Sequence, residues 1–112
     1  MHPLKMKIKL VSLIPGMPKV RAVINKLPAV LGRNSEADVR LDDNWTSRVH
    51  CEINEASGRL LVRDLGSTNG TMVNGKQVKE ADLLPGDLLT VGLTSFKVEY
   101  KHRQNKLLAS IW

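Results

Sequence analysis

Residues that break regular structure recur along this chain every eight to twelve positions, and the stretches between them are short and alternate apolar with polar. A segment alternating with a period of two offers one face to a core and the other to water, as a half-buried strand does. Met6, Ile8 and Leu10 alternate in this way with Lys5, Lys7 and Lys9. Pro15-Gly16 and Pro18 then turn the chain. Further strands are predicted at 20–24 and 27–31, with a short one at 39–41 inside the polar stretch 32–44. Residues 49–54 and 60–64 read as a hairpin around Glu55-Ala56-Ser57-Gly58. Strands at 71–73 and 76–78 flank Asn74-Gly75, the strongest short hairpin signal in the sequence. After the turn Leu84-Pro85-Gly86-Asp87, strands at 88–91 and 95–100 close the set around Gly92. Only 103–112, through Leu107, Leu108 and Ile111, is spaced for a helix, and it is too short to hold one alone. Many short strands with almost no helix make an all-β sandwich.

The 112 residues are enough for one domain with its own core, needing neither metal nor disulfide. We assign 1–101 to that domain and 102–112 to a C-terminal tail, helical or disordered. The single cysteine, Cys51, excludes an internal disulfide and fits a reducing compartment, so the chain is expected in the cytoplasm. Its place between His50 and Glu52 in a strand marks a buried, inert thiol. No apolar run approaches the roughly 20 residues of a membrane span. Lysines also interrupt the N-terminal stretch that a secretory signal would need. Charge is uneven. Between Gly32 and Phe96 stand seven Lys and Arg against ten Asp and Glu, a net of −3, while the flanks carry ten Lys and Arg and one Glu, a net of +9.

Four polar segments fall between the predicted strands: Gly32-Arg33-Asn34, Ser47-Arg48-Val49-His50, Gly66-Ser67-Thr68-Asn69-Gly70-Thr71 and Val73-Asn74-Gly75. Loops rich in hydroxyls, amides and arginine suit an oxyanion. A phosphomonoester carries about −1.5 to −2 charges and three strong acceptor oxygens. Its site needs one fixed charged donor and several neutral ones. Arginine meets the first need, since its planar fork holds two oxygens and stays protonated. Each residue alone has a plainer explanation: Arg33 as a solvated side chain, Ser47 as a turn cap, Thr68-Asn69-Gly70 as an Asx-type turn. The ordered set is what carries information. Ser47 with His50 as nucleophile and base is disfavoured, because an i, i+3 pair on an extended segment points to opposite faces and no acid is spaced to orient the ring. His50 is instead expected to be partly buried, with its ring hydrogen-bonding neighbouring loops and fixing the Ser47 turn. His2, His50, His102 and Cys51 lack zinc-ligand spacing, and no cofactor is called for.

These segments, with Leu31-Gly32-Arg33, Leu65 to Thr71, Leu84-Pro85-Gly86-Asp87, Gly92, Phe96 and Val98, closely resemble a forkhead-associated (FHA) domain. The likeness runs from about Lys5 to Tyr100, in family order and at family spacing. It implies an eleven-stranded β-sandwich that binds phosphothreonine in an extended peptide, a protein–protein interaction used in Ser/Thr kinase signalling or phosphorylation-dependent assembly. The resemblance makes Arg33 and Ser47 the phosphate holders with Arg48 beside them. Thr68 lines the pocket for the threonine methyl, and Asn69 grips the peptide main chain near the following residue. Gly32, His50, Gly70 and Asn74 match positions that shape the site. Two departures stand out: Trp45-Thr46 precedes Ser47 where a small aliphatic residue is usual, and Cys51 replaces a common alanine.

Other function classes fit less of the sequence. A scaffold of the same fold that ignores phosphate would not need every expected donor, and all are present. Binding of nucleic acid or an anionic surface would use Lys5, Lys7, Lys9, Lys19, Arg21, Lys97, Lys101 and Arg103, provided the first and last strands are neighbours. The chain has almost no aromatics among these for base stacking, which argues against nucleic acid. An enzyme is not expected, since no paired carboxylates, metal cluster or nucleotide loop can be placed. The tail residues Leu107, Leu108, Ile111 and Trp112 fit packing on the sheet or on a neighbouring chain equally well, so the oligomeric state stays open.

Overall fold

A computed structural model describes residues 7–13 and 19–101. Within them run eleven strands: β1 Ile8–Ser12, β2 Lys19–Ile24, β3 Ala29–Gly32, β4 Val39–Arg40, β5 Cys51–Ala56, β6 Arg59–Asp64, β7 Thr71–Val73, β8 Lys76–Val78, β9 Glu80–Asp82, β10 Leu88–Val91 and β11 Thr94–Glu99. They form one sheet in the order β2-β1-β11-β10-β7-β8 and a second in the order β4-β3-β5-β6-β9. All strand pairs given a register are antiparallel except β3 with β4. The expected all-β sandwich is what the chain adopts.

Alternation explains which side of each strand is buried. Cys51 and Ile53 of β5 face inward while Glu52 does not, and Phe96 and Val98 of β11 are fully covered while Lys97 and Glu99 are exposed. Ile8, Leu10, Leu31, Leu60, Val62, Leu89 and Val91 complete a core drawn from both sheets. Burying apolar area at about 25 cal/mol per Å² is the main force holding the two layers together.

The hairpins close as their residues require. Asn74 and Gly75 adopt φ values of 52° and 82°, and Ser57 and Gly58 values of 53° and 77°. Two central residues with positive φ make the tight turn whose twist matches paired strands. Because the second turn needs only Ser57 and Gly58, Glu55 and Ala56 extend β5 instead, and Ala56 pairs with Arg59.

Several boundaries differ from expectation. The third strand begins at Ala29, and Leu27 packs on the core from outside the ladder. Leu41 is buried just beyond β4, its amide donating to the Gly32 carbonyl at 2.9 Å. Val49 lies before β5 and is exposed, because the Ser47–His50 segment is committed to loop contacts. Strand β9 is the one of the eleven that the alternation pattern did not place. Glu80-Ala81-Asp82 offers a single small apolar residue, Ala81, which packs on the core, and its place comes from pairing with Leu61, Val62 and Arg63. The expectation for 103–112 lies outside the described residues.

Strands β1 and β11 are indeed neighbours. The outer face they share with β2 is nevertheless not uniformly basic. Lys9 stands between Val23 and Glu99, Lys97 lies opposite Val11, and Lys97 and Glu99 form an ion pair at 3.8 Å. Lys5 and Arg103 lie outside the described residues.

Candidate functional site

At one end of the sandwich the loop after β3 is laced to the segment before β5. The Arg33 amide donates to Ser47 O at 2.9 Å, the Asn34 amide to Arg48 O at 3.1 Å, and the His50 amide to Leu31 O at 2.9 Å. This lacing requires Gly32, since a Cβ there would lie 2.1 Å from the Arg48 carbonyl oxygen. Arg33 and Ser47, far apart in sequence, are thereby set side by side. The Arg33 guanidinium is half-buried and anchored through Nε, which donates to Thr46 O at 3.0 Å. The outer nitrogens of its fork are left for another acceptor. Arg40, Arg59 and Arg63 stand 3.4, 3.2 and 3.6 Å from carboxylates. Among the described residues neither Arg33 nor the exposed Arg48 has such a partner.

The Gly66–Thr71 loop approaches from the other side. The Thr68 amide donates to Ser47 Oγ at 3.0 Å, so that hydroxyl accepts one bond and keeps its own proton to donate. Asn69 Nδ2 donates to Trp45 O at 2.9 Å, and the Asn69 and Thr68 side chains are exposed. His50, fully buried, pins the two loops together: its Nδ1 accepts the Ser47 amide at 3.0 Å and its Nε2 donates to Gly70 O at 2.8 Å. The amide bond on Nδ1 assigns the ring proton to Nε2. Both nitrogens are thus engaged with main chain, and neither is aimed at the Ser47 hydroxyl.

Two residues that the sequence did not single out hold these loops in shape. Asp64, at the end of β6, accepts the hydroxyls of Ser67 and Thr71 and the amides of Gly66 and Ser67. Burial pushes its carboxyl up, but those hydrogen bonds outweigh burial and hold it below the usual carboxylate value. Asp43 accepts the Trp45 amide and the Thr46 hydroxyl. In both cases the signal was an Asp followed two or three residues later by its own bonding partners, an Asx-type turn. Gly32, Arg33, Ser47, Arg48, His50, Thr68, Asn69 and Gly70 are brought together. Asn74 is not. It lies at the far end of β7, where its side chain ties to Asp87 and to the Leu88 amide. Cys51, fully buried, has its thiol pushed up to about 12, chiefly by burial, with the Thr71 hydroxyl bond opposing and the Asp64 charge adding.

The fold and these loops define a β-sandwich domain with arginine, hydroxyl and amide side chains gathered at one end. Over residues 29–92 the sequence matches the FHA domain family, and the chain belongs to it. FHA domain-containing protein FhaA of Mycobacterium tuberculosis is 43% identical over 63 residues, covering 56% of this chain and 12% of FhaA. Glycogen accumulation regulator GarA of Mycolicibacterium smegmatis is 38% identical over 72 residues, covering 64% of this chain and 46% of GarA. This chain therefore spans less than half the length of either relative. A chain solved in a structural and functional analysis of phosphothreonine-dependent FHA domain interactions superimposes with a TM-score of 0.69 at 31% identity, covering 86% of this chain and 96% of that one.

Proposed function

We propose that this chain is a phosphothreonine-binding module that recognises phosphorylated partner proteins in Ser/Thr kinase signalling or phosphorylation-dependent assembly. Arg33 and Ser47 hold the phosphate, Arg48 reaches it from the rim, Thr68 lines the methyl pocket, and Asn69 grips the peptide main chain. The observation that carries this is the Arg33 fork: anchored at Nε, without a carboxylate partner among the described residues, and carried on a residue whose main chain is bonded to that of Ser47, whose hydroxyl has a proton to give. Gly32, His50 and Gly70 keep that pair in register, and Asn74 supports the fold at the opposite end. The module binds and does not turn over its ligand, since the His50 ring is occupied by main-chain partners. A cytoplasmic setting fits the free Cys51 thiol.

The test is binding to one peptide library in three matched forms: phosphothreonine, phosphoserine and unphosphorylated. Binding confined to the phosphothreonine form is expected. Equal binding to the unphosphorylated form would make the chain a phosphate-independent scaffold and end the proposal. Preference for threonine over serine by one buried methyl is worth about 1 kcal/mol, so a several-fold ratio is the expected scale.

A further inference from the structure

The two most exposed large apolar side chains among the described residues are Leu93, at 68%, in the turn between β10 and β11, and Trp45, at 54%, in the candidate-site segment before β5. Single apolar residues on a surface are ordinary. These two stand on segments that the fold clamps together. Asp43 Oδ1 accepts the Trp45 amide at 2.9 Å, and its Oδ2 accepts the hydroxyls of Thr46 at 3.0 Å and Thr94 at 3.5 Å. Gly92 closes on the same point, since a Cβ there would lie 2.1 Å from Thr46 Oγ1. Leu93 follows directly, in the turn between β10 and β11. The Trp45 carbonyl, in turn, accepts the Asn69 amide at 2.9 Å. The backbone that carries Trp45 is thus tied both to the turn that carries Leu93 and to the residue assigned to the peptide main chain, and it is already ordered before any ligand arrives. Ordering that is complete beforehand does not have to be repeated on binding.

We propose that Trp45 and Leu93 set the module's sequence preference: its partner carries a large aliphatic or aromatic residue after the phosphothreonine, which packs on these two side chains. The proposal rests on the phosphothreonine reading above. An acidic residue at that position would gain no apolar contact. The preference belongs to this chain's own residues, Trp45 in the segment before β5 and Leu93 in the turn after β10.

The experiment uses phosphothreonine peptides on an alanine background, with each of the three positions after the phosphothreonine changed in turn to Leu, Phe, Asp or Lys. Fluorescence polarisation is expected to find one position where Leu or Phe binds about tenfold tighter than Asp, the scale of burying a few apolar carbons. In Trp45→Ala and in Leu93→Ser that ratio falls to within about twofold of unity. Equal affinity for all flanking residues in the unaltered protein overturns the proposal and leaves phosphate recognition standing. So does a uniform loss in both variants with the ratio preserved, which marks the two side chains as loop supports. The underlying reading fails separately, if Arg33→Ala binds every phosphopeptide as the unaltered protein does.

Discussion

Arg33 differs from the chain's ion-paired arginines in what its surroundings leave undone. One nitrogen is spent on Thr46 O, which fixes the plane of the fork, and the rest is offered outward. A charge-assisted hydrogen bond contributes on the order of 1.5–3 kcal/mol, so Arg33→Ala should lose at least about 2 kcal/mol of phosphopeptide affinity, thirtyfold or more. Calorimetric titration of both proteins with one phosphothreonine peptide checks this, and a change within threefold contradicts the assignment. Cys51 illustrates the opposite case, a reactive group made inert by burial. With its thiol pushed up to about 12, the thiolate at pH 8 is about one part in ten thousand. Iodoacetamide should therefore leave the native protein unmodified over a time that fully labels the chain in denaturant. Rapid native labelling would mean that β5 opens far more readily than its packing suggests.

At the level of elements, the site is a product of lacing between strand ends. Gly32 ends β3 against the Arg48 carbonyl, and Gly32→Ala would force the two segments apart. We expect a cost of about 1–3 kcal/mol in stability, as for other overpacked positions, together with loss of phosphopeptide binding. Urea unfolding measures the first, and an unaltered midpoint would show that the lacing is slack. The Gly66–Thr71 loop depends instead on Asp64. Its carboxyl is held below the ordinary unfolded value near ~3.9, so its contribution is complete above that pH and is lost as pH falls through the lower, folded value. The stability difference between the unaltered protein and Asp64→Asn should be constant from about pH 7 to pH 5 and shrink below about pH 4. A difference that persists unchanged to pH 3 would rule out the ionised network. These holding residues were less legible than the donors they hold. Arg33 and Ser47 lie in motifs with a recognisable order, whereas Asp64 and Asp43 look like ordinary turn residues until the partner loops are in place.

Across the whole molecule the donors and the lysines of β1 and β11 lie in different places. The loops at one end gather the donors, while the lysines of β1 and β11 lie along a strand face that runs away from them. Thr94 at the start of β11 reaches Asp43, but Lys9 is paired opposite Glu99 at the other end of that strand. Changing Lys7, Lys9 and Lys101 together to Gln should therefore shift phosphopeptide affinity by less than about threefold at physiological salt, where the Debye length is ≈ 8 Å. Titration of the triple variant reads this directly, and a tenfold loss would couple the two surfaces. The register also shows that, among the described residues, the lysines of β1 and β11 do not form an unbroken basic face. Val11, Val20, Val23 and Glu99 are interleaved with the lysines, which only strand pairing could reveal.

By itself, the sequence determined the fold class, most strands and both tight hairpin turns, because alternation and positive-φ residues act over a few neighbours. It also determined which residue types the polar loops carry. Strand β9, the depth of His50 and the roles of Asp43 and Asp64 were decided only by the tertiary structure. Each depends on a partner far along the chain: β6 for β9, Gly70 for His50, Thr94 for Asp43. The placing of Trp45 beside Leu93's turn belongs to the same group, since a hydrogen bond and a close glycine contact join segments nearly fifty residues apart.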